Sequence, residues 1–234
     1  MPESPSTLHS EVVALAPKLV LYGTRANPYT EKCRLALVLK GLEYELREPS
    51  GPEDFRRWSP ETGLLPVMTV DDELVSDSTN ILLRLDEIRP DPPLLSPDPK
   101  VAAQQRHLED WADEAFLWYW LEWQRAAEDD PARSAGAGRL RTLRRLGGWR
   151  RVTEAPEPAR AAVLRGLDDR LNDLLNLLGG RRFFYADRLS MADLTVYALL
   201  KALSRNEIPG TAERIAERPA LLDFMRRVEE ETGG

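Results

Sequence analysis

One cysteine, Cys33, stands alone in a chain of 234 residues. A lone thiol excludes an internal disulfide framework and a Cys-x-x-Cys redox pair, and it fits a reducing, cytoplasmic compartment. Histidine is nearly as scarce. His9 and His107 are the only two, too few for a usual zinc site without cysteine beside them, so no metal ligand is assigned. No apolar run approaches the ~20 residues of a membrane-spanning helix. The opening stretch, MPESPSTLHSEVVALAPK, lacks a basic start followed by a long apolar core; residues 1–17 read as a flexible extension rather than a signal peptide. Positive charge is also in deficit. The net charge is −7 and the pI near 5.1, so no global field recruits nucleic acid. Only five of the 32 basic residues are lysine.

What is present is ordinary globular material, 42% hydrophobic and 30% charged, in a length that suits one large domain or two small ones. KLVLYG (Lys18–Gly23) reads as a buried strand. A helix follows from Pro28 to about Lys40. Asn27 is a good N-cap, Pro28 suits the first helical position, and Gly41 is a good stop. Cys33, Ala36, Leu37 and Lys40 share one face of it, widened by Leu35 and Leu39, so Cys33 is expected to be inert core. LEYELRE predicts a second strand, and the irregular stretch after it one helical turn near Phe55–Trp58. LPVMTVDDELVSD predicts a hairpin turning at Asp71–Asp72. SDSTNILLRLDEI predicts a helix capped by Ser76 or Asp77.

RPDPPLLSPDP (Arg89–Pro99) carries five prolines in eleven residues, which forbids a regular helix or central strand. It divides the chain into residues 18–88, a linker at 89–99, and residues 100–234. Everything after it is helical in character: about Val101–Glu128, an arginine-rich helix near Arg139–Leu146, about Pro158–Leu178, then DRLSMADLTVYALLKAL and two short helices. In SMAD, Ser190 caps a helix, Asp193 reaches back to it, and Leu189 staples onto Leu194. The six arginines between Arg139 and Arg151 read as a solvated helix face.

Three stretches together resemble the cytosolic glutathione transferases: NPYTEKCRLALVLKGLEYE, GLLPVMTVDDELVSDSTNIL and LSMADLTVYALL. The resemblance runs from about Lys18 to Val228. It implies an α/β thioredoxin-like N-terminal domain, β-α-β-α-β-β-α, which binds glutathione, followed by an all-α helical bundle, in a homodimer. It implies glutathione as cosubstrate, with no metal or organic cofactor. It also implies that Leu65–Pro66 is a cis peptide whose Leu65 backbone pairs with the cysteinyl part of the peptide. At the following helix start, Ser78 is expected to bind the γ-glutamyl carboxylate and Asp77 the ammonium, a use compatible with capping. The family's thiol-stabilising Ser or Cys position is held here by Asn27, with Thr24 and Tyr22 as the competing side chains. Leu64 stands where many members carry a lysine for the peptide's glycine carboxylate; Arg56 and Arg57 are the candidate substitutes.

The aromatic run WADEAFLWYWLEWQ reads by itself as core packing and a subunit or domain interface; the resemblance implies that this helix flanks a cleft, with Trp111, Phe116 and Trp118 as candidates to line an apolar pocket for a small hydrophobic electrophile. The function the resemblance implies is thiolate stabilisation for attack on that electrophile, or glutathione-dependent disulfide or peroxide reduction. The alternative is a binding or scaffold protein that keeps the fold without the chemistry.

Overall fold

The computed structural model describes residues 16–128, 157–205 and 208–233, with backbone alone at 116–128 and 157–159. Most of the expected N-terminal extension, and the arginine-rich stretch, lie outside the described residues.

Strands β1 (Leu19–Tyr22), β2 (Glu45–Arg47), β3 (Val67–Val70) and β4 (Glu73–Ser76) form one mixed sheet in the order β2-β1-β3-β4. β1 is parallel to β2 and antiparallel to β3, which is antiparallel to β4. Leu19, Val20 and Leu21 are buried one after another, the pattern of a central strand covered on both faces. β2 is shorter than LEYELRE suggests. It is an edge strand that pairs only with β1, and its ladder covers three residues. The hairpin turns where expected, with Asp71 at φ 55°. The same residue ties the hairpin to β1: its side chain accepts from Lys18 N at 2.9 Å, and its own N–H donates to Lys18 O at 2.8 Å.

Helices α1 (Pro28–Leu39), α2 (Pro52–Trp58) and α3 (Ser78–Ile88) complete the thioredoxin-like order β-α-β-α-β-β-α. α2 is a seven-residue helix rather than one turn. Pro52 starts it, Glu53 and Asp54 lie in its first turn, and Arg56 and Arg57 in its last, an order of charges that complements the helix dipole. α1 ends at Gly41, which takes φ 58° while the N–H groups of Gly41 and Leu42 close back onto Val38 and Leu37. The expected buried face is present, but burial goes further round. Thr30, Glu31 and Lys32 are buried as well, because α1 is covered by the sheet domain on one side and the helical domain on the other.

The helical domain holds α4 (Pro99–Glu128), α5 (Glu157–Leu178), α6 (Met191–Ser204), α7 (Thr211–Ala216) and α8 (Pro219–Thr232). The 30 residues of α4 span about 45 Å. α6 is apolar nearly all round, which marks a fully buried helix; twelve of its fourteen residues are buried, and it packs against α1 and α4. One continuous core results, running from Leu21 and Met68 in the sheet domain to Leu199 and Phe224 in the helical domain.

Asp193 reaches back as the SMAD spacing predicts. Its carboxyl accepts from Ser190 N at 2.9 Å and Ser190 Oγ at 2.6 Å, and from Phe184 N at 2.8 Å, all buried. Asp193→Ala leaves two buried N–H groups without an acceptor, each worth about 1–3 kcal/mol. We expect a loss of roughly 2–4 kcal/mol in urea unfolding, and a markedly smaller loss for Asp193→Asn. A loss below about 0.5 kcal/mol, the size of an ordinary surface change, would show that this cap does not hold α6.

Candidate active site

The strand register brings three separate segments to one end of the sheet. Tyr22, Val67 and Ser76 stand side by side in the ladder. One step beyond them, Gly23 leaves β1, Pro66 enters β3 and Asp77 leaves β4, on strands spaced about 4.8 Å apart. The Leu65–Pro66 peptide is cis, as is Asp91–Pro92.

Gly23 begins the loop to α1. A β-carbon there would lie 2.3 Å from Thr30 Oγ1 and 3.1 Å from Thr30 Cβ, so rotating Thr30 cannot make room. The loop is pinned by Asn27 N donating to Thr24 O at 3.0 Å. Arg205, just past α6, donates from Nη1 to Ala26 O at 3.1 Å. Asn27 caps α1 with Oδ1, which accepts from Tyr29 N at 2.8 Å and Thr30 N at 3.4 Å. Its Nδ2 has no partner among the described residues. The Thr24 hydroxyl, half-buried in the same loop, also has none. Tyr22 is engaged elsewhere: its ring meets Trp58 at 4.9 Å and its hydroxyl accepts from Arg47 at 3.5 Å.

At α3, Asp77 adopts φ 74° and its Oδ1 accepts from Thr79 N at 2.9 Å and Asn80 N at 3.2 Å. Ser78 is 5% exposed, and its hydroxyl has no partner among the described residues. Its carbonyl faces Cys33 Sγ at 3.7 Å. Burial pushes the Cys33 thiol far up, so it carries no thiolate. Leu64, beside the proline turn, is 65% exposed. Arg56 and Arg57 are exposed at the end of α2 and form no ion pair among the described residues.

The sequence reading missed the ionic cluster beneath these segments. Lys32, 1% exposed, sends Nζ to Glu109 Oε1 and Asp113 Oδ2, each at 2.6 Å. Thr79 Oγ1 donates to the same Glu109 oxygen at 2.8 Å, and Tyr29 OH to the Asp113 carbonyl at 3.1 Å. On the other flank of α1, Lys201 of α6 reaches Glu31 at 2.9 Å. The available signal was a pair of acids at i, i+4 on α4 and a lysine beside Cys33 on a helix expected to be buried.

Trp111 lies on the opposite side of α4. It lines an apolar cavity with Ala115, Leu171, Leu174, Val196 and Leu199 inside the helical domain, with the Arg170 guanidinium 5.6 Å from its ring. It is not among the residues gathered at that end of the sheet. The Phe116 and Trp118 side chains lie outside the described residues. Among the described residues, no cluster of His, Cys, Asp or Glu is arranged to hold a metal ion, and no helix is long and apolar enough to cross a membrane.

The molecule is thus a two-domain protein with a thioredoxin-like sheet. It presents two capped helix N-termini and a cis-proline turn at one end of the sheet, with an all-helical domain packed alongside. The family models for the glutathione S-transferase N-terminal and C-terminal domains match residues 21–93 and 150–233, together more than half of the chain. The chain belongs to the glutathione S-transferase family. It is similar to glutathione S-transferase U13 of Arabidopsis thaliana, 26% identical over 90% of this chain and 91% of that one. Glutathione S-transferase Z2 of the same plant is 36% identical over 87 residues, which are 35% of this chain and 39% of its own length. Among solved structures, a glutathione S-transferase of Methylobacterium radiotolerans in complex with glutathione sulfonate superposes with a TM-score of 0.65 at 27% identity, over 91% of this chain and 90% of that one.

The buried cluster has one cation for two carboxylates. Burial, with Glu109 and Asp77 nearby, outweighs Lys32 and pushes the Asp113 carboxyl up to about 6. A carboxyl raised in the folded state contributes most stability when protonated in both states, and its contribution falls as pH rises from the unfolded value near 4 to about 6. Asp113→Asn should therefore gain stability relative to wild type between pH 4 and pH 7, followed by urea unfolding at each pH. A difference flat across that window would contradict the excess negative charge.

Proposed function

We propose that this protein binds glutathione at this end of the sheet and stabilises its thiolate for attack on a small apolar electrophile. The observation that carries this reading is Asn27. Its oxygen is spent on capping α1, yet its amide N–H groups have no partner among the described residues, and they stand at the helix N-terminus, where the dipole favours a negative sulfur. Ser78 and Asp77 supply the matching anion and ammonium contacts at α3, and the Leu65 backbone the strand-like pairing between them. Thr24, whose hydroxyl has no partner among the described residues, is the second candidate for the thiolate; Tyr22, engaged by Trp58 and Arg47, is the weakest. The relative from Methylobacterium, solved with glutathione sulfonate, supports the same ligand. Glutathione-dependent disulfide or peroxide reduction uses the same site and the same sulfur.

The candidates for the electrophile's apolar wall remain Trp111, Phe116 and Trp118, all on α4. A homodimer, in which the sheet domain of one copy faces α4 of the other, is supported by Leu74, 44% exposed on edge strand β4. Sedimentation at micromolar concentration should give twice the chain mass of 26.5 kDa; a clean monomer would refute the assembly. A reducing, cytoplasmic setting suits a chain whose single thiol is buried and unpaired. The exposed Leu64 favours a second reading, a non-catalytic binding protein with the same fold.

The readings separate in two measurements. Ser78→Ala keeps the Asp77 cap and removes one hydrogen bond to a charged group. Calorimetry should show glutathione bound about tenfold or more weakly, since such bonds are worth ~1.5–3 kcal/mol. Asn27→Asp keeps a capping oxygen but sets a negative charge against the sulfur. The variant should fold as wild type does, its bound thiol should ionise about one pH unit higher, and turnover of an aryl halide should fall. Unchanged thiol ionisation would reduce Asn27 to a cap and move the role to Thr24.

A further inference from the structure

α1 and α3 pack on one another through the shared core, but the two N-termini assigned to the ligand have little polar contact within their own domain. Near the site, the only hydrogen bond between α1 and α3 among the described residues is the long Cys33 Sγ contact to Ser78 O, at 3.7 Å. The stronger polar link runs through the helical domain, and it converges on one oxygen. Glu109 Oε1 accepts from Lys32 Nζ of α1 at 2.6 Å and from Thr79 Oγ1 of α3 at 2.8 Å. Lys32 lies five residues after Asn27. Thr79 directly follows Ser78, and its own backbone N–H is one of the two donors to the Asp77 cap. Glu109 is 1% exposed, so the bridge operates away from bulk water, where such bonds hold their geometry best.

We propose that Glu109 is a positioning residue, which sets the separation between the N-termini of α1 and α3 so that they can take the thiol and the glutamyl carboxylate of one peptide. This rests on the glutathione reading above. The physical case is one of fixed distance. A ligand held at both ends tolerates little error in the spacing of its two anchors, and small misplacements lower both affinity and reactivity. Two helices tied through one carboxylate move together when that carboxylate moves. The arms are not equivalent: α1 has a second tether, Lys32 to Asp113 at 2.6 Å, whereas the Thr79 hydroxyl is the only arm from the first turn of α3 to α4 among the described residues.

That asymmetry makes the proposal testable without breaking the buried ion pair. Thr79→Val removes the α3 arm and leaves Lys32, Glu109 and Asp113 paired. Glutathione should bind about five- to tenfold more weakly, because the Ser78 end of the site is no longer held at the spacing the peptide needs. The ionisation of its bound thiol should stay put, because α1 remains anchored. Thr79→Ser restores the hydroxyl and should restore the affinity. Glu109→Gln acts on both arms and should raise the dissociation constant and the pH of thiol ionisation together. If that variant does not fold, the Thr79 pair decides alone. A Thr79→Val protein that binds glutathione as wild type does, or a Thr79→Ser protein as weak as the valine variant, overturns the positioning role. Wild-type protein that binds no glutathione overturns the proposed function, and this inference with it; the wild-type titration therefore distinguishes the two failures.

Discussion

Lys32 carries a positive charge into the seam between the two domains, where its side chain is 1% exposed and Asp113 and Glu109 close over it. Removing a charge from water into such a place costs several kcal/mol, and two short charge-assisted bonds offset much of that cost. The asymmetry of buried ion pairs then governs the rest. Taking away one partner is far more damaging than never having formed the pair, because the survivor is left charged and dry. The helical domain therefore cannot slide along α1 without stripping Lys32 of its carboxylates. The opposite flank repeats the arrangement more loosely, with Glu31 shared between Arg34 and Lys201 and Ala26 O held by Arg205. The helix that starts beside the candidate thiol site is gripped from both sides by a domain that begins some sixty residues later in the chain.

This grip explains why the site can be built from unpaired groups. The Ser78 hydroxyl, the Asn27 amide nitrogen and the Thr24 hydroxyl have no protein partners among the described residues, and each sits on or beside an element fixed by something else. Asn27 is held by its own cap bonds, Ser78 by burial against Cys33, and Thr24 by the turn to Asn27. Polar groups left open on a rigid frame are what a ligand needs to bind without reorganising the protein.

The linker follows the same logic at the far end of α1. Lys40, fully buried in its side chain, donates to Asp86, to the Arg89 carbonyl and to the Pro92 carbonyl, while Asp86 accepts from Leu94 N. The proline-rich stretch, unable to form its own ladder, has its carbonyls collected by a lysine of the sheet domain. Met191 N, at the start of α6, completes the seam by donating to Leu94 O at 2.8 Å.

Much of this was legible in the order of residues. Asn27 before Pro28, Gly41 after Lys40, Asp71–Asp72 between two apolar runs, and Ser190 three places before Asp193 each determine local structure, because caps and turns involve neighbours within a few residues. The apolar run of β1 announced burial in the same direct way. The partners of charge were not legible. Lys32 meets Glu109 and Asp113 across 77 and 81 residues, and Glu31 meets Lys201 across 170. On a helix read alone, a lysine and a glutamate belong on the wet side. Only the docking of a second domain decided that they are buried, that one carboxylate serves two helices, and that Trp111 turns away from that end of the sheet while Asp113 turns toward it. A side chain's environment is set by what packs against it, and for α1 and α4 the packing surface comes from the far part of the chain.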